Sequence, residues 1–147
     1  MKSEIKAEVC VNINASVAEV WEALTNSELI KQYFFGTNTV TDWKKGSPIK
    51  FYGEWEGKHY EDKGTILEVA MEKLISYSYW SSMSGIEDKP ENYVIVTYKI
   101  EGSDNDVSLT VLQENIPDEK MKAHSIENWK KVLDGLKKLV EEKAVEA

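Results

Sequence analysis

Apolar and polar residues alternate at the start of the chain. The apolar positions of this pattern are Ile5, Ala7, Val9, Val11 and Ile13. A period of two places these side chains on one face of a strand, so the pattern predicts a strand with one buried face. Cys10 belongs to the polar face. We expect an incidental thiol there, because no histidine or acid lies at a spacing typical of a cysteine nucleophile.

The spacing then changes to that of two short helices. Ser16 and Glu19 have the spacing of a capping box, and apolar residues follow them at the intervals of one helical face. Ser27 is predicted to cap the second helix. Gly36 is predicted to end it, because glycine adopts the left-handed conformation of a helix end at low cost.

Residues 37–114 have the pattern of strands and turns. Strands are predicted around Val40 and Trp43 and over residues 49–55, 59–69, 74–81, 93–100 and 107–113. Residues 82–90 have the composition of a loop. Consecutive short strands without intervening helices favour an antiparallel sheet over βαβ units.

The C-terminal segment predicts one long helix. Its apolar stripe consists of Ile126, Trp129, Leu133, Leu136 and Val140. Asn115 or Asp118 is expected to cap the helix, with Pro117 in its first turn. Gly135 costs about 1 kcal/mol relative to alanine in a helix, and close packing against a neighbour would explain its presence. The element order predicts a single α+β domain over residues 1–147, with the long helix laid on the sheet.

Charge and composition narrow the classes of partner. The chain has 41% hydrophobic and 30% charged residues and a formal net charge of −8, as in an ordinary globular domain. An acidic protein repels phosphate backbones and anionic lipid surfaces, so we expect neither nucleic-acid binding nor stable membrane insertion. A single cysteine and the lack of an apolar run of about 20 residues favour a cytoplasmic location.

No motif for catalysis, metal binding or cofactor binding is present. His59 and His124 lack ligand spacing, and the glycine-rich phosphate loop, the calcium loop and the hydrolase elbow are missing. We therefore expect no metal, no cofactor and no catalytic residue, and we favour a non-enzymatic function. The carboxyl groups between Asp42 and Glu68, including Asp62, are expected mostly on the solvent-exposed face.

Aromatic residues are spread over the predicted helices and the sheet. Tryptophan and tyrosine combine an apolar body with a polar tip, which suits a pocket wall as well as a core. At Phe51, Trp55, Tyr98 and Trp129 both alternatives stay open.

Five blocks of the sequence resemble, in order, the blocks of one known family. They are INASVAEVWEALTNSELIKQYF (13–34), DWKKGSPIKF (42–51), GTILEV (64–69), KLISYSYW (73–80) and NWKKVLDGLKKLV (128–140). Together they resemble the Hsp90-ATPase-activator-homologue-like family of the START-like or Bet v 1-like superfamily, over essentially the whole chain.

The resemblance implies a helix-grip fold, in which a curved antiparallel sheet carries two short helices after its first strand and a long C-terminal helix across it. It also implies a cavity between sheet and long helix, commonly for apolar or lipid-like ligands. Trp129 and Leu133 would face this cavity from the helix. The candidates on the sheet are Phe51, Trp55, Trp80 and Tyr98.

Tyr33 and Phe35 are candidates for the mouth of the cavity, next to Gly36. The family has tryptophan at the position of Tyr33, whose hydroxyl needs a partner. It has glycine at the positions of Ser47 and Asn128.

The leading functional hypothesis is a monomeric small-molecule binding module that takes a lipid-like or aromatic ligand. One alternative is a cyclase- or hydrolase-type enzyme on a polyketide-like substrate, which requires a polar group with a perturbed pKa inside the cavity. The other is a chaperone-associated interaction protein, which requires an exposed apolar patch. The motif of the separate N-terminal domain of full-length co-chaperones is absent, so Hsp90 activation does not follow from the resemblance.

Overall fold

The computed structural model describes residues 4–34, 36–81, 86–103 and 105–146, and for Trp55, Ser103 and residues 143–146 it describes the backbone alone. The elements are β1 (Ile5–Ile13), α1 (Val17–Thr25), α2 (Ser27–Tyr33), β2 (Asn38–Val40), β3 (Pro48–Trp55), β4 (Lys58–Ala70), β5 (Leu74–Tyr79), a 3-10 turn (Pro90–Asn92), β6 (Val94–Ser103), β7 (Asp106–Ile116) and α3 (Glu119–Glu146). This order confirms the α+β prediction. Among the described residues no helix is both long and apolar enough to span a membrane.

The strands form one seven-stranded antiparallel sheet in the order β1-β7-β6-β5-β4-β3-β2. Strands β2 to β7 follow one another as a meander, and β1 joins it beside β7. The inner face of the sheet carries fully buried branched residues, including Ile13, Ile49, Ile66, Ile75 and Leu109. The core therefore lies on this one face, beneath the helices.

The edge strand β2 is shorter than predicted. It ends at Val40, and Trp43 lies outside it in a left-handed conformation with φ of 59°. The prediction that Trp43 belongs to the same short strand as Val40 was therefore wrong. Residues 82–85 of the predicted loop lie outside the described residues.

Gly64 marks the place where β4 passes from its pairing with β3 to its pairing with β5. A Cβ atom at this position would lie 1.6 Å from the carbonyl oxygen of Ser78. The backbones of β4 and β5 thus approach each other more closely here than any side chain allows. Beside it, the Thr65 N–H donates to the Ser78 hydroxyl at 3.0 Å, and the register of the β4–β5 pair shifts between Ile66 and Glu68. Glycines and register shifts of this kind let a sheet bend.

The short helices are fixed by their caps. The predicted capping box of α1 is confirmed, since Ser16 Oγ accepts from the Glu19 N–H and the Ser16 N–H donates to Glu19 Oε1. The N-cap of α2 is Asn26, which accepts from the Glu28 N–H at 2.9 Å, and not Ser27 as predicted. The Ser27 hydroxyl instead donates to the Thr39 carbonyl at 2.9 Å, which ties α2 to β2.

The long helix α3 begins after Asp118, whose Oδ1 accepts from the Met121 N–H at 2.8 Å. Of the two predicted caps, Asp118 is therefore the correct one, and Pro117 precedes the helix. Asn115, the last residue but one of β7, has a left-handed conformation with φ of 65°. Its side-chain amide donates to the carbonyls of Glu91 and Tyr93.

Polar contacts fasten α3 to the end of β1. Lys137 Nζ donates to the Asn12 carbonyl at 2.7 Å, and Glu141 Oε2 accepts from the Asn14 N–H at 2.8 Å. The Asn14 N–H, together with the Lys137 ammonium, lowers the pKa of Glu141. The helix thereby runs along β1 and also approaches β7 and both short helices.

Tyr33 packs where α2 meets α1 and α3. A Cβ atom at Gly135 would lie 3.2 Å from Cβ of Tyr33, so the close packing expected at this glycine is confirmed. The Tyr33 hydroxyl donates to the Ala23 carbonyl of α1 at 2.8 Å. One side chain thus joins all three helices.

Replacing Gly64 with alanine is expected to destabilise the protein by more than about 2 kcal/mol, because the new methyl group meets backbone atoms that cannot move aside. Gly57→Ala is the control, since Gly57 has φ of +81° and open space around its Cβ position. It should cost only the left-handed penalty of about 1 kcal/mol. Urea unfolding measures both values, and an equal or smaller loss at Gly64 would contradict the assigned close approach.

Tyr33→Phe is expected to lower the free energy of unfolding by about 1 kcal/mol, because the Ala23 carbonyl loses its buried donor. The same substitution at Tyr52, which is 39% exposed, should change it by less than about 0.5 kcal/mol. Urea unfolding of the two variants makes the comparison. Equal effects would show that the Tyr33 hydroxyl carries no structural hydrogen bond.

Candidate functional site

Five aromatic rings form a closed cycle of contacts between the sheet and the helices. They are Phe34, Phe51, Tyr77, Tyr98 and Trp129, and neighbouring ring centroids lie 5.6 to 6.4 Å apart. Aromatic pairs attract at such separations, in stacked as well as edge-on arrangements. We call this set the aromatic ring cluster.

Each member of the cluster is placed by a regular element. Phe51, Tyr77 and Tyr98 lie on β3, β5 and β6, at inward positions of their alternating patterns. Trp129 lies on the stripe of α3 that faces the sheet, and Phe34 directly follows α2. The cluster therefore joins three strands to two helices.

The polar tips of the cluster have partners. Trp129 Nε1 donates to Gln113 Oε1 on β7 at 2.7 Å. The hydroxyls of Tyr77 and Tyr98 share a hydrogen bond of 3.2 Å. These contacts fix the orientation of the rings without placing a charge among them.

A buried carboxyl group lies beside the cluster. Asp62 on β4 is 6% exposed and stands directly opposite Phe51 in the β3–β4 register, so both side chains point to the inner face. The Tyr79 hydroxyl donates to Asp62 Oδ2 at 2.5 Å. The Tyr79 ring also contacts Phe51, with 5.5 Å between centroids. The expectation of a solvent-exposed position was therefore wrong for Asp62.

Two threonines and a tyrosine complete the polar side of this region. Tyr60 stands opposite Gly53, and a Cβ atom at Gly53 would lie 2.8 Å from the Tyr60 hydroxyl oxygen. The tyrosine therefore crosses the space left by the glycine and meets Thr37 Oγ1 at 2.6 Å. Thr39 stands opposite Phe51 from β2 and is 3% exposed.

The predicted ligand-binding residues fall into three groups. Phe51, Tyr98 and Trp129 belong to the aromatic ring cluster, and Leu133 lies one turn further along α3 in the same core. Tyr33 lies in the helix packing, with its hydroxyl bonded to α1 rather than at a cavity mouth. Phe35 and the side chain of Trp55 lie outside the described part of the chain. The binding role of all of these residues stays a prediction.

Trp80, the remaining predicted residue, lies away from the cluster. It directly follows the inward-facing Tyr79, and its ring lies 5.8 Å from Nζ of the exposed Lys63. Its indole N–H donates to the Ile86 carbonyl at 2.9 Å. Nearby on this outer face is an open groove of about 550 Å³. Its walls include Lys63 and Asp88, whose side chains form an ion pair of 2.7 Å.

Sequence reasoning missed Phe34, Tyr77 and Asp62 as site residues. A signal for Asp62 was present, because Tyr60, Asp62, Gly64 and Ile66 share one phase of β4 and Ile66 is apolar. The same phase argument separates Tyr79 from Trp80, since neighbours in a strand face opposite sides. Among the described residues no group of three or more potential metal ligands is found.

Burial controls the protonation of the tyrosines in and around the cluster. Burial raises the pKa of Tyr98 to about 12. Burial also raises the pKa values of Tyr33, Tyr77 and Tyr79 well above the ordinary value, and Asp62 adds to this effect at Tyr79. These hydroxyls therefore keep their protons at neutral pH, and Tyr79 remains a donor to Asp62.

Alkaline pH is expected to unfold the protein through these tyrosines. An unfolded tyrosine has a pKa of about 10, so the stability is unaffected below that pH and falls as the pH rises toward about 12, the folded pKa of Tyr98. Tyr98 alone should remove roughly 2 to 3 kcal/mol over this range. The part of the tyrosinate absorbance that comes from the buried tyrosines should change together with the circular dichroism. Titration of all seven tyrosines near pH 10 in a native-like protein would contradict the assigned burial.

The fold and the sequence both have recognised relatives. The family model described as Activator of Hsp90 ATPase homolog 1-like protein matches residues 14–141, whereas no curated protein matches the chain. The solution structure of ChR145 from Cytophaga hutchinsonii is similar, with 46% identity, full coverage of both chains and a TM-score of 0.83.

Two more distant structures share the fold. The Aha1 dimer from Colwellia psychrerythraea is 18% identical, with 93% of this chain and 96% of that chain covered and a TM-score of 0.73. DynU16, a protein in the dynemicin biosynthetic locus, is 18% identical, with 95% of this chain and 48% of that chain covered and a TM-score of 0.78. The matched family model and the 46% identical relative establish that this chain belongs to the Activator of Hsp90 ATPase homolog 1-like family, which confirms the resemblance and the helix-grip fold.

Proposed function

We propose that the protein is a small-molecule binding module whose ligand, an aromatic or lipid-like molecule, lies between the inner face of the sheet and α3. The observation that carries this proposal is the closed cycle of five aromatic rings at that junction. Ligand sites are commonly lined by aromatic and apolar side chains with a few polar groups that orient the ligand.

The arrangement of the cluster suits such a ligand. Phe51, Tyr98 and Trp129 are buried, while Phe34 and the neighbouring Tyr79 are only half-buried, so the cluster has a deep wall and an accessible edge. Phe34 follows the last turn of α2 and precedes Gly36, whose φ is +75°. A ligand ring that contacts Phe51 and Trp129 from this edge would replace contacts that Phe34 now makes.

An enzymatic function on a polyketide-like substrate is the second candidate, and one observation favours it. The buried Asp62 accepts a hydrogen bond from Tyr79, whose pKa is raised by burial and by Asp62. A pair of this kind beside an apolar wall supplies a proton acceptor and a proton donor to a bound molecule. A structural neighbour in the dynemicin biosynthetic locus places the same fold in a biosynthetic setting.

A chaperone-associated role is supported by the family and by relatives alone, such as the Hsp90 activator from Plasmodium falciparum. Among the described residues the exposed large apolar side chains are spread over β2, β3, β4, the turn after β4 and α3, namely Val40, Tyr52, Leu67, Met71 and Met121. Recognition of a partner protein would need them to form one contiguous patch. For this reason we place the role after small-molecule binding.

Titration with naphthol, as an aromatic probe, and with dodecanol, as a lipid-like probe, tests the proposal by NMR. The indole N–H of Trp129 is expected to shift on addition of at least one probe. The indole N–H of Trp80 should stay in place, because it points to Ile86 on the outer side. A shift of Trp80 alone, or of neither indole, would contradict binding at the aromatic ring cluster.

Two matched variants test the same site by affinity. Trp129→Phe is expected to weaken binding of the active probe by at least about threefold, because it removes a large part of the aromatic contact. Trp80→Phe should leave the affinity unchanged. The reverse order of effects would place the ligand on the outer face.

A further inference from the structure

A group of polar side chains lies on the inner face of the sheet near its β2 edge. We call it the polar corner and define it by Thr37, Thr39, Tyr60, Asp62 and Tyr79. Two of its contacts are short, Tyr60 to Thr37 at 2.6 Å and Tyr79 to Asp62 at 2.5 Å. The proposed function uses the aromatic wall beside this corner and leaves the corner itself without a role.

One hydroxyl of the polar corner has no partner. Thr39 is 3% exposed, and its Oγ1 makes no hydrogen bond with any described residue. Its backbone is held in place, since Thr39 stands opposite Phe51 in the β2–β3 pair and its carbonyl accepts from the Ser27 hydroxyl. A buried hydroxyl without a partner costs free energy, and in most proteins such groups are paired. An external molecule would satisfy it.

The register brings Thr39 and Asp62 to the same wall. Phe51 stands opposite Thr39 on one side and opposite Asp62 on the other. Side chains directly opposite one another in an antiparallel sheet lie on the same face, about 5 Å apart at Cβ. The two polar groups therefore flank the Phe51 ring, which itself belongs to the aromatic ring cluster.

The polar corner contains hydroxyl groups and a carboxyl group but no basic side chain. It offers four hydroxyls and one carboxyl group, and it contains no amine, imidazole or amide side chain. Among the described residues no lysine is buried, and the chain contains no arginine. A ligand carboxylate bound at Thr39 would lie two strand spacings, roughly 10 Å, from Asp62. The polar corner holds no cation to compensate it, and like charges repel more strongly at such a distance away from water than in water.

We infer that the site selects a ligand with an aromatic body and a neutral hydroxyl group, which hydrogen-bonds in the polar corner at Thr39 beside Asp62, and that it rejects the corresponding acid. This inference rests on the proposed function and adds the class of ligand. The aromatic body lies against Phe51 and Trp129, and the hydroxyl replaces the missing partner of Thr39.

Three probes of similar size separate the effect of the ligand hydroxyl from the effect of a negative charge on the ligand. Naphthol carries the hydroxyl, methylnaphthalene has neither a donor nor an acceptor, and naphthoate carries a negative charge. We expect naphthol to bind about fivefold more tightly than methylnaphthalene, the usual effect of one hydrogen bond. We expect naphthoate to bind at least about tenfold more weakly than naphthol. Isothermal titration calorimetry at neutral pH gives the three dissociation constants.

Variants at Thr39 test the hydroxyl contact. Thr39→Val keeps the shape and removes an unpaired group, so its melting temperature should equal or exceed that of the parent. Its preference for naphthol over methylnaphthalene should be lost. Thr39→Ser should keep the preference. A Thr39→Val protein that retains the full preference would overturn the assignment of this residue.

Variants at Asp62 test the rejection of acids. In the Asp62→Asn variant the side-chain amide oxygen can still accept from the Tyr79 hydroxyl. This variant should bring the affinity for naphthoate within about threefold of that for naphthol. Glu54→Gln is the control, because it removes the same charge from an exposed position on β3 and should leave the discrimination intact.

The outcomes separate this inference from the proposed function. Equal binding of all three probes, with a shift of the Trp129 indole, overturns the inference and leaves the aromatic binding site standing. Preference for naphthoate over naphthol also overturns it. Failure of all three probes to bind overturns the proposed site for aromatic ligands, and the inference with it.

Discussion

The structure depends on how one long helix covers a wide curved sheet. The helix α3 runs along β1 and approaches β7, so it covers the side of the inner face that these two strands form. Toward β2, β3 and β4 the inner face is covered instead by side chains and by α2. Trp129 reaches from the helix to Tyr98 and Phe34, and Phe34 reaches on to Phe51. Contacts between aromatic side chains thus cover the strands against which α3 does not pack directly.

This difference between the two sides of the inner face determines where polar groups are available to orient a ligand. Branched apolar side chains such as Leu109 and Leu136 fill the side beneath the helix, where the side chain of Gln113 is already bonded to Trp129. The side toward β2 combines large rings with hydroxyls and with the carboxyl group of Asp62. Beside the close approach of Gly64 to Ser78, Lys63 of β4 pairs with Trp80, and the adjacent Asp62 and Tyr79 are hydrogen-bonded on the inner side. The pairing of these neighbouring strands therefore positions part of the candidate site.

Local patterns predicted most of the fold. Alternation marked β1, the capping box of Ser16 and Glu19 marked α1, and the stripe through Trp129 and Leu133 marked α3. The two errors concern the ends of elements. Asn26, which lies between α1 and α2, is the N-cap of α2 in place of the predicted Ser27. Trp43 has a left-handed conformation and lies outside β2, which no alternation rule predicts.

The site was harder to predict than the fold. The phase of β4 is visible in Ile66 but is hidden at Asp62 by charged neighbours on both sides. Tyr33 carries the right chemistry for a pocket, yet its hydroxyl bonds to Ala23, and only the packing of α2 against α1 reveals this. Contacts such as Tyr79 with Asp62 join different strands and follow from register, which a pattern along one strand does not contain.

The most direct test of the proposed binding site is a crystal structure determined from crystals of the protein soaked with naphthol. Binding at the aromatic ring cluster predicts density for the probe against Phe51 and Trp129, with its hydroxyl within hydrogen-bonding distance of Thr39 Oγ1. Density in the outer groove beside Lys63 and Asp88, with the aromatic ring cluster unchanged, would contradict it.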